Sequence, residues 1–225
     1  MSYTLQFGQV FRYVPDLIAG AWVSLQLAFV AFVFGMTIGL VNASILHFAR
    51  GWRTWPTKAY VTFFLNTPLL VQIFFIYFAL PDVAGILLDS WTAALIGLSL
   101  NVGAYLTEIQ RAGFASVQRA EVEAAEAMGF SRPQTIRWVI FPHICKVLFP
   151  PLSNQYILLV MSTSICAIIG VEELTGRTLN ANAVTFRAFE LFAIAAGLYV
   201  LITIVASAML VFAGRRLFRV DAKVF

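Results

Sequence analysis

The chain has 225 residues, 60% of them hydrophobic and 12% charged, with a formal net charge of +4. A soluble domain carries about 25% charged residues, so too few polar groups remain here to cover a water-facing surface, and most of the exterior faces lipid. The positive balance does not point to nucleic acid, because the basic residues gather at the ends of apolar runs, where membrane proteins place them.

A helix needs about 20 mainly apolar residues to cross a bilayer. The first such run covers 21–46; only Arg12 precedes it as a base and no cleavage site is evident, so it is an uncleaved span rather than a signal peptide. A connection with Arg50, Arg53 and Lys58 leads to the second run, 59–80, which contains Gln72. The next connection, 81–90, holds Asp82 and Asp89 and no base. The third run, 91–112, carries Asn101, Tyr105 and Glu108 at spacings of four and three, which place them on one helix face. Glu108 sits near the end of the run and pairs with Arg111.

The connection 113–145 is long and has no linker composition. Its Ala- and Glu-rich start predicts a helix over 122–128. Gly129 stands where a left-handed C-cap is expected. Ser131 and Gln134 form the pattern of a capping box, with Pro133 in the first turn of a second helix that Pro142 interrupts. The fourth run, 148–171, contains Asn154, Gln155, Ser162, Thr163 and Ser164, and the fifth is 189–212. Cys145 and Cys166 read as small hydrophobes, with no metal or disulfide pattern.

Each run is too long and continuous for a strand, and lipid leaves only helices or closed barrels. The expected fold is all-α, a polytopic bundle of about five transmembrane helices forming one domain over 1–225. Arg50, Arg53, Lys58, Arg111, Arg119, Arg132, Arg137, Lys146, Arg215, Arg216, Arg219 and Lys223 fall on one side, and Arg12, Arg177 and Arg187 on the other. The richer side is cytoplasmic, which puts the N-terminus outside and the C-terminus in the cytoplasm.

Within 113–145 stand Glu123-Ala124-Ala125, then Gly129 after three residues, then Val139-Ile140-Phe141-Pro142 after nine more. This resembles the EAA loop of ABC importer permeases, E-A-A-x3-G-x9-I-x-L-P. Asn66 to Gln72 resembles the R-G-T-P-L-L-V-Q stretch of the polar amino acid permeases. Ser99-Leu100-Asn101 with Ala104-Tyr105 and Glu108-Ile109, and Thr163-Ser164 with Ile169 to Thr175, are similar to two further stretches of that family. Asn66, Ala120-Glu121 and Met161-Ser162 depart from it.

The resemblance implies the membrane subunit of a polar amino acid importer in the bacterial inner membrane. It implies a second permease subunit, identical or homologous, two ATP-binding cassette subunits and an extracytoplasmic substrate-binding protein. Glu123, Ala124, Ala125, Gly129 and Pro142 would then couple to the ATPase, since small alanines permit close approach and glutamates offer acceptors to a basic partner. The chain has no G-x-x-x-x-G-K-[ST], so ATP and Mg belong to that partner. No metal site and no nucleophile with a base and an orienting group is evident, which argues against an enzyme. An ion-coupled transporter or channel is the alternative, but it leaves the EAA loop without a purpose.

Polar groups inside lipid are costly unless satisfied. Gln72, Asn101, Tyr105, Asn154, Gln155, Ser162 and Thr163 are therefore candidates to line a substrate path, since amides and hydroxyls serve both the ammonium and the carboxylate of an amino acid. No Asp or Glu is expected at mid-depth in any span, which disfavours a cationic substrate.

Overall fold

The computed structural model describes residues 4–218, so Arg219 and Lys223 of the basic tail lie outside the described residues. Helix α1, Val14–Phe48, follows a short helical lead-in, Phe7–Val10 and Phe11–Tyr13. It starts earlier than hydropathy predicts, because Pro15 is favourable in a first turn and Asp16 complements the positive helix end there. At about 1.5 Å per residue it is longer than a hydrocarbon core needs.

The second span is not the continuous helix expected over 59–80. Helix α2, Trp55–Leu65, stops, and helix α3, Leu69–Phe74, restarts and runs on through the π turn Phe75–Ala79 into Leu80–Ala84. The two parts are bent by 108°. Pro68 explains the break: it has no N–H to continue the ladder and pushes Thr67 away from helical backbone. The Gln72 Nε2 group then donates to the Thr67 carbonyl at 3.0 Å and the Thr67 hydroxyl at 2.7 Å, closing the turn.

Helix α4, Ser90–Ala115, begins on Asp89, whose carboxylate accepts from the Thr92 N–H and hydroxyl. Those hydrogen bonds hold the Asp89 carboxyl below its ordinary value. Helix α5, Arg119–Ala127, and the single turn Arg132–Thr135 form the long connection. That turn runs through the π segment Ile136–Ile140 directly into α6, Phe141–Ser162, and the 3₁₀ stretch Thr163–Ile169. Pro142 therefore does not interrupt the pattern as expected. In the wider turn the Phe141 N–H bonds to the Ile136 carbonyl, which makes room for a ring lacking its own N–H. Helix α7, Leu174–Thr185, and helix α8, Ala188–Phe218, are the last described elements. Among the described residues, four helical stretches are long and apolar enough to span a membrane, or five if the bent pair is one span.

The chain divides into two compact units. The first comprises Met1–Val33, Thr67–Ser99 and Tyr156–Ala206. Its core gathers Val10, Leu17, Ala21, Leu174, Ala181, Leu191 and Ala195. Glu173, fully buried, caps α7 by accepting from the Gly176 N–H at 2.8 Å. Its other oxygen accepts from the Ser24 hydroxyl at 3.1 Å and the Tyr199 hydroxyl at 2.8 Å. One carboxylate thus ties α7 to α1 and α8. Arg177 pairs with Asp16, and Arg187 donates to Gln6 Oε1 at 2.8 Å.

The second unit comprises Phe34–Asn66, Leu100–Gln155 and Ser207–Phe225. Here α1 approaches α4 through Gly35 and Gly39: a Cβ would lie 2.4 Å from Val102 Cγ1 at the first and 2.9 Å from Leu106 Cβ at the second. Small residues four apart permit this contact between backbones, where lipid offers no hydrophobic drive. Tyr60 donates to the Leu100 carbonyl at 2.7 Å, and Gln110 to the Met36 carbonyl at 3.3 Å, so polar side chains add to the packing.

Candidate functional site

The first half of the long connection folds as its residues predict, with a helix, a glycine turn and a capping box. Helix α5 ends in a left-handed turn at Gly129, with φ at +83°. The Phe130 N–H reaches back to the Ala125 carbonyl at 3.1 Å and the Gly129 N–H to Glu126 at 2.9 Å, the two bonds of a Schellman motif. Ser131 then opens the next turn, its N–H donating to Gln134 Oε1 at 2.8 Å within a capping box.

This turn orients the motif residues. Ala125 is buried and seats α5 on the turn Arg132–Thr135 and the π segment. Glu123, Ala124 and Glu126 face outward, and neither carboxylate has a partner among the described residues. Met128, Ile136, Trp138 and Phe141 are also exposed, Met128 at 69% and Trp138 at 64%. Small, apolar and acidic side chains are thus all exposed along this connection, the kinds of group that a basic, grooved partner takes. Pro142 is exposed at the start of α6. Glu121 differs from the other glutamates: its carboxylate lies 3.4 Å from His143 Nδ1.

The candidate path residues separate into two sets. In the first unit Gln72 is buried and closes the Thr67 turn. The Ser162 hydroxyl donates to the Leu158 carbonyl and the buried Thr163 hydroxyl to the Val160 carbonyl, each at 2.8 Å. These groups serve their own helices. In the second unit Asn101 is half-buried on α4 and hydrogen-bonded or otherwise engaged. Tyr105, also on α4, is 41% exposed, and on α6 Asn154 is exposed and Gln155 half-buried. Tyr105, Asn154 and Gln155 have no hydrogen-bond partner among the described residues. Glu108 pairs with Arg111 Nε at 3.0 Å, as the spacing predicts.

One carboxylate escaped the sequence reading. Glu173 lies outside every hydropathic run, yet it bonds Ser24, ten residues into α1, and Tyr199, eleven residues into α8. An acidic group therefore does reach into the span bundle, but both its oxygens are engaged. The N-cap position before Leu-Thr-Gly was the available signal. No group of metal-binding side chains occurs among the described residues.

Residues 31–219 match the family model described as "Binding-protein-dependent transport system inner membrane component". The chain is 39% identical to the glutamine transport system permease protein GlnP of Escherichia coli K12 over 202 residues, covering 88% of this chain and 90% of that protein. It is 35% identical to the octopine transport system permease protein OccM of Rhizobium radiobacter, covering 85% and 81%. The arginine transport system permease protein ArtQ of Bacillus subtilis is 28% identical, covering 89% and 92%. Among solved structures, an amino acid ABC transporter crystallised with histidines superposes with a TM-score of 0.87 at 32% identity, covering 96% of this chain and all of that one.

Proposed function

The chain belongs to the family of binding-protein-dependent transport system inner membrane components, and from that premise we propose that it carries neutral polar amino acids, with glutamine as the model, across the bacterial inner membrane. It is a transmembrane permease subunit of an amino acid ABC importer and not itself an enzyme. Two copies of the chain, or one copy and a homologue, enclose the path. Two ATPase subunits hold ATP and Mg, since this chain has no phosphate-cradling loop. A binding protein delivers substrate from outside, onto the face carrying Arg12, Arg177 and Arg187.

The observation that carries the coupling role is the exposure of α5 and the segment after it, with unpartnered Glu123 and Glu126 on α5 and exposed Ala124, Met128 and Trp138 along the same connection. Closure of the ATPases pushes on this face, and the rigid Gly129 turn passes the movement to α6. A partner biases the two states only through contacts that differ between them, and a rigid helix end provides such contacts. Glu123, Ala124, Ala125, Gly129 and Pro142 form the coupling element.

Tyr105, Asn154 and Gln155 line the path. Unengaged polar groups on a span are costly against lipid, and a water-filled or substrate-filled path relieves that cost. Gln155 is neutral, and the Glu173 carboxylate is occupied by three donors. The path residues Tyr105, Asn154 and Gln155 thus present no counter-charge for a guanidinium. Uptake by the complex reconstituted with its ATPase and binding protein tests the substrate class. Glutamine is expected to compete far better than arginine, and preference for arginine by a complex containing two copies of this chain would refute the assignment.

A further inference from the structure

We propose that Glu121 and His143 form a clasp that sets the position of the coupling helix α5 on α6, and that protonation of His143 tightens it. The inference rests on the reading of α5 as the helix that meets the ATPase. His143 follows Pro142 at the start of α6, and Glu121 lies in the first turn of α5. The imidazole Nδ1 and the Glu121 Oε2 are 3.4 Å apart, with side-chain exposures of 27% and 37%. Oε2 and His143 Nε2 are both closed to solvent and have no hydrogen-bond partner among the described residues. The contact links the two arms of the connection at the end opposite the Gly129 turn. With Gly129 fixing one end and the clasp the other, α5 moves with α6 as one lever.

Imidazole changes charge between about pH 5 and 8. A proton on His143 turns a weak polar contact into a charge pair, partly shielded from water. The charged ring gains no acceptor at Nε2, so its stabilisation depends on the Glu121 carboxylate. Other charged groups occupy the surrounding elements: Arg119, Glu123 and Glu126 on α5, Arg137 on the π segment and Lys146 on α6 itself. Helix α4 packs on α6 at Gly113 and Leu148 and brings the Glu108–Arg111 pair. Helix α8 packs there at Gly214 and Phe149 and brings Arg215 and Arg216. Glu121 is the carboxylate that reaches the ring.

Two measurements test the clasp. The first uses the full chain in lipid nanodiscs with nitroxides at the exposed positions Ala120 and Lys146, and with Cys145 and Cys166 replaced. The distance distribution is expected to be narrow at pH 6 and broad at pH 8. In Glu121→Gln it is expected to be equally broad at both. The second counts substrate carried per ATP in the complete transporter. The ratio is expected to fall at least threefold from pH 6 to pH 8 in the native chain and to be flat in Glu121→Gln. The exchange Glu121→His with His143→Glu restores the slope. A native distribution that does not change with pH overturns the clasp, as does a Glu121→Gln chain that keeps the native pH dependence in either measurement. A chain that narrows at pH 6 but recruits no ATPase leaves the clasp standing and defeats the docking role of α5.

Discussion

At the scale of single residues, Gly129 and Glu173 contrast in how well the sequence announces them. Gly129 follows an Ala- and Glu-rich stretch and precedes a Ser-x-x-Gln box, so local chemistry alone places a left-handed residue there, and φ at +83° bears this out. A β-branched side chain at that position costs of order 1–2 kcal/mol and breaks the Schellman bonds. Gly129→Val is therefore expected to insert normally and to bind the ATPase, but to lose most transport per ATP hydrolysed; full transport would contradict the lever role of the turn. Glu173 was only weakly legible, because its one signal is the N-cap position before Leu-Thr-Gly and Glu172 beside it is chemically identical. Glu173→Ala removes the acceptor shared by Ser24, Tyr199 and Gly176; Ser24 keeps the Gly20 carbonyl and Tyr199 the Thr175 hydroxyl, so the buried Gly176 N–H is the donor left without one. An unsatisfied buried donor costs about 1–3 kcal/mol, so a clear drop in the thermal midpoint of the purified chain is expected, whereas Glu172→Ala, at an exposed position, leaves it nearly unchanged.

At the scale of elements, hydropathy located the apolar runs but not their true ends or the break between α2 and α3. A sliding apolar average is blind to Pro68, whose effect is on backbone geometry and not on transfer energy. It is also blind to the π segment that lets α6 continue past Pro142. The local engagement of the candidate path residues was not readable for a similar reason: Gln72, Ser162 and Thr163 look polar in the sequence, but they bond to backbone within a few residues, and only the fold reveals that. The proposed sidedness of the elements rests on the distribution of the basic residues. Cysteines introduced at Ala120 and at Val184, which is 70% exposed, are expected to react with a membrane-impermeant thiol reagent from opposite sides of a vesicle. Labelling of both positions from one side would contradict the proposed topology.

At the scale of the whole molecule, the proposed function makes the chain a transducer, in which the membrane spans would supply a path and the short acidic, alanine-rich α5 would receive the push of an ATPase. The polar amino acid permease family was legible in the sequence because Glu123-Ala124-Ala125, Gly129 and Pro142 keep their spacing, and the matched relatives and the shared fold agree with it. The central claim is that α5 is where the ATPase engages. A photo-crosslinking amino acid at Ala124 in the assembled transporter tests this most directly, with the same group at Val184 as the comparison. The account predicts that Ala124 captures the ATPase subunit in high yield and that Val184 captures none of it. Equal capture from the two positions, or none from Ala124 in a complex that still drives uptake with ATP, would contradict it.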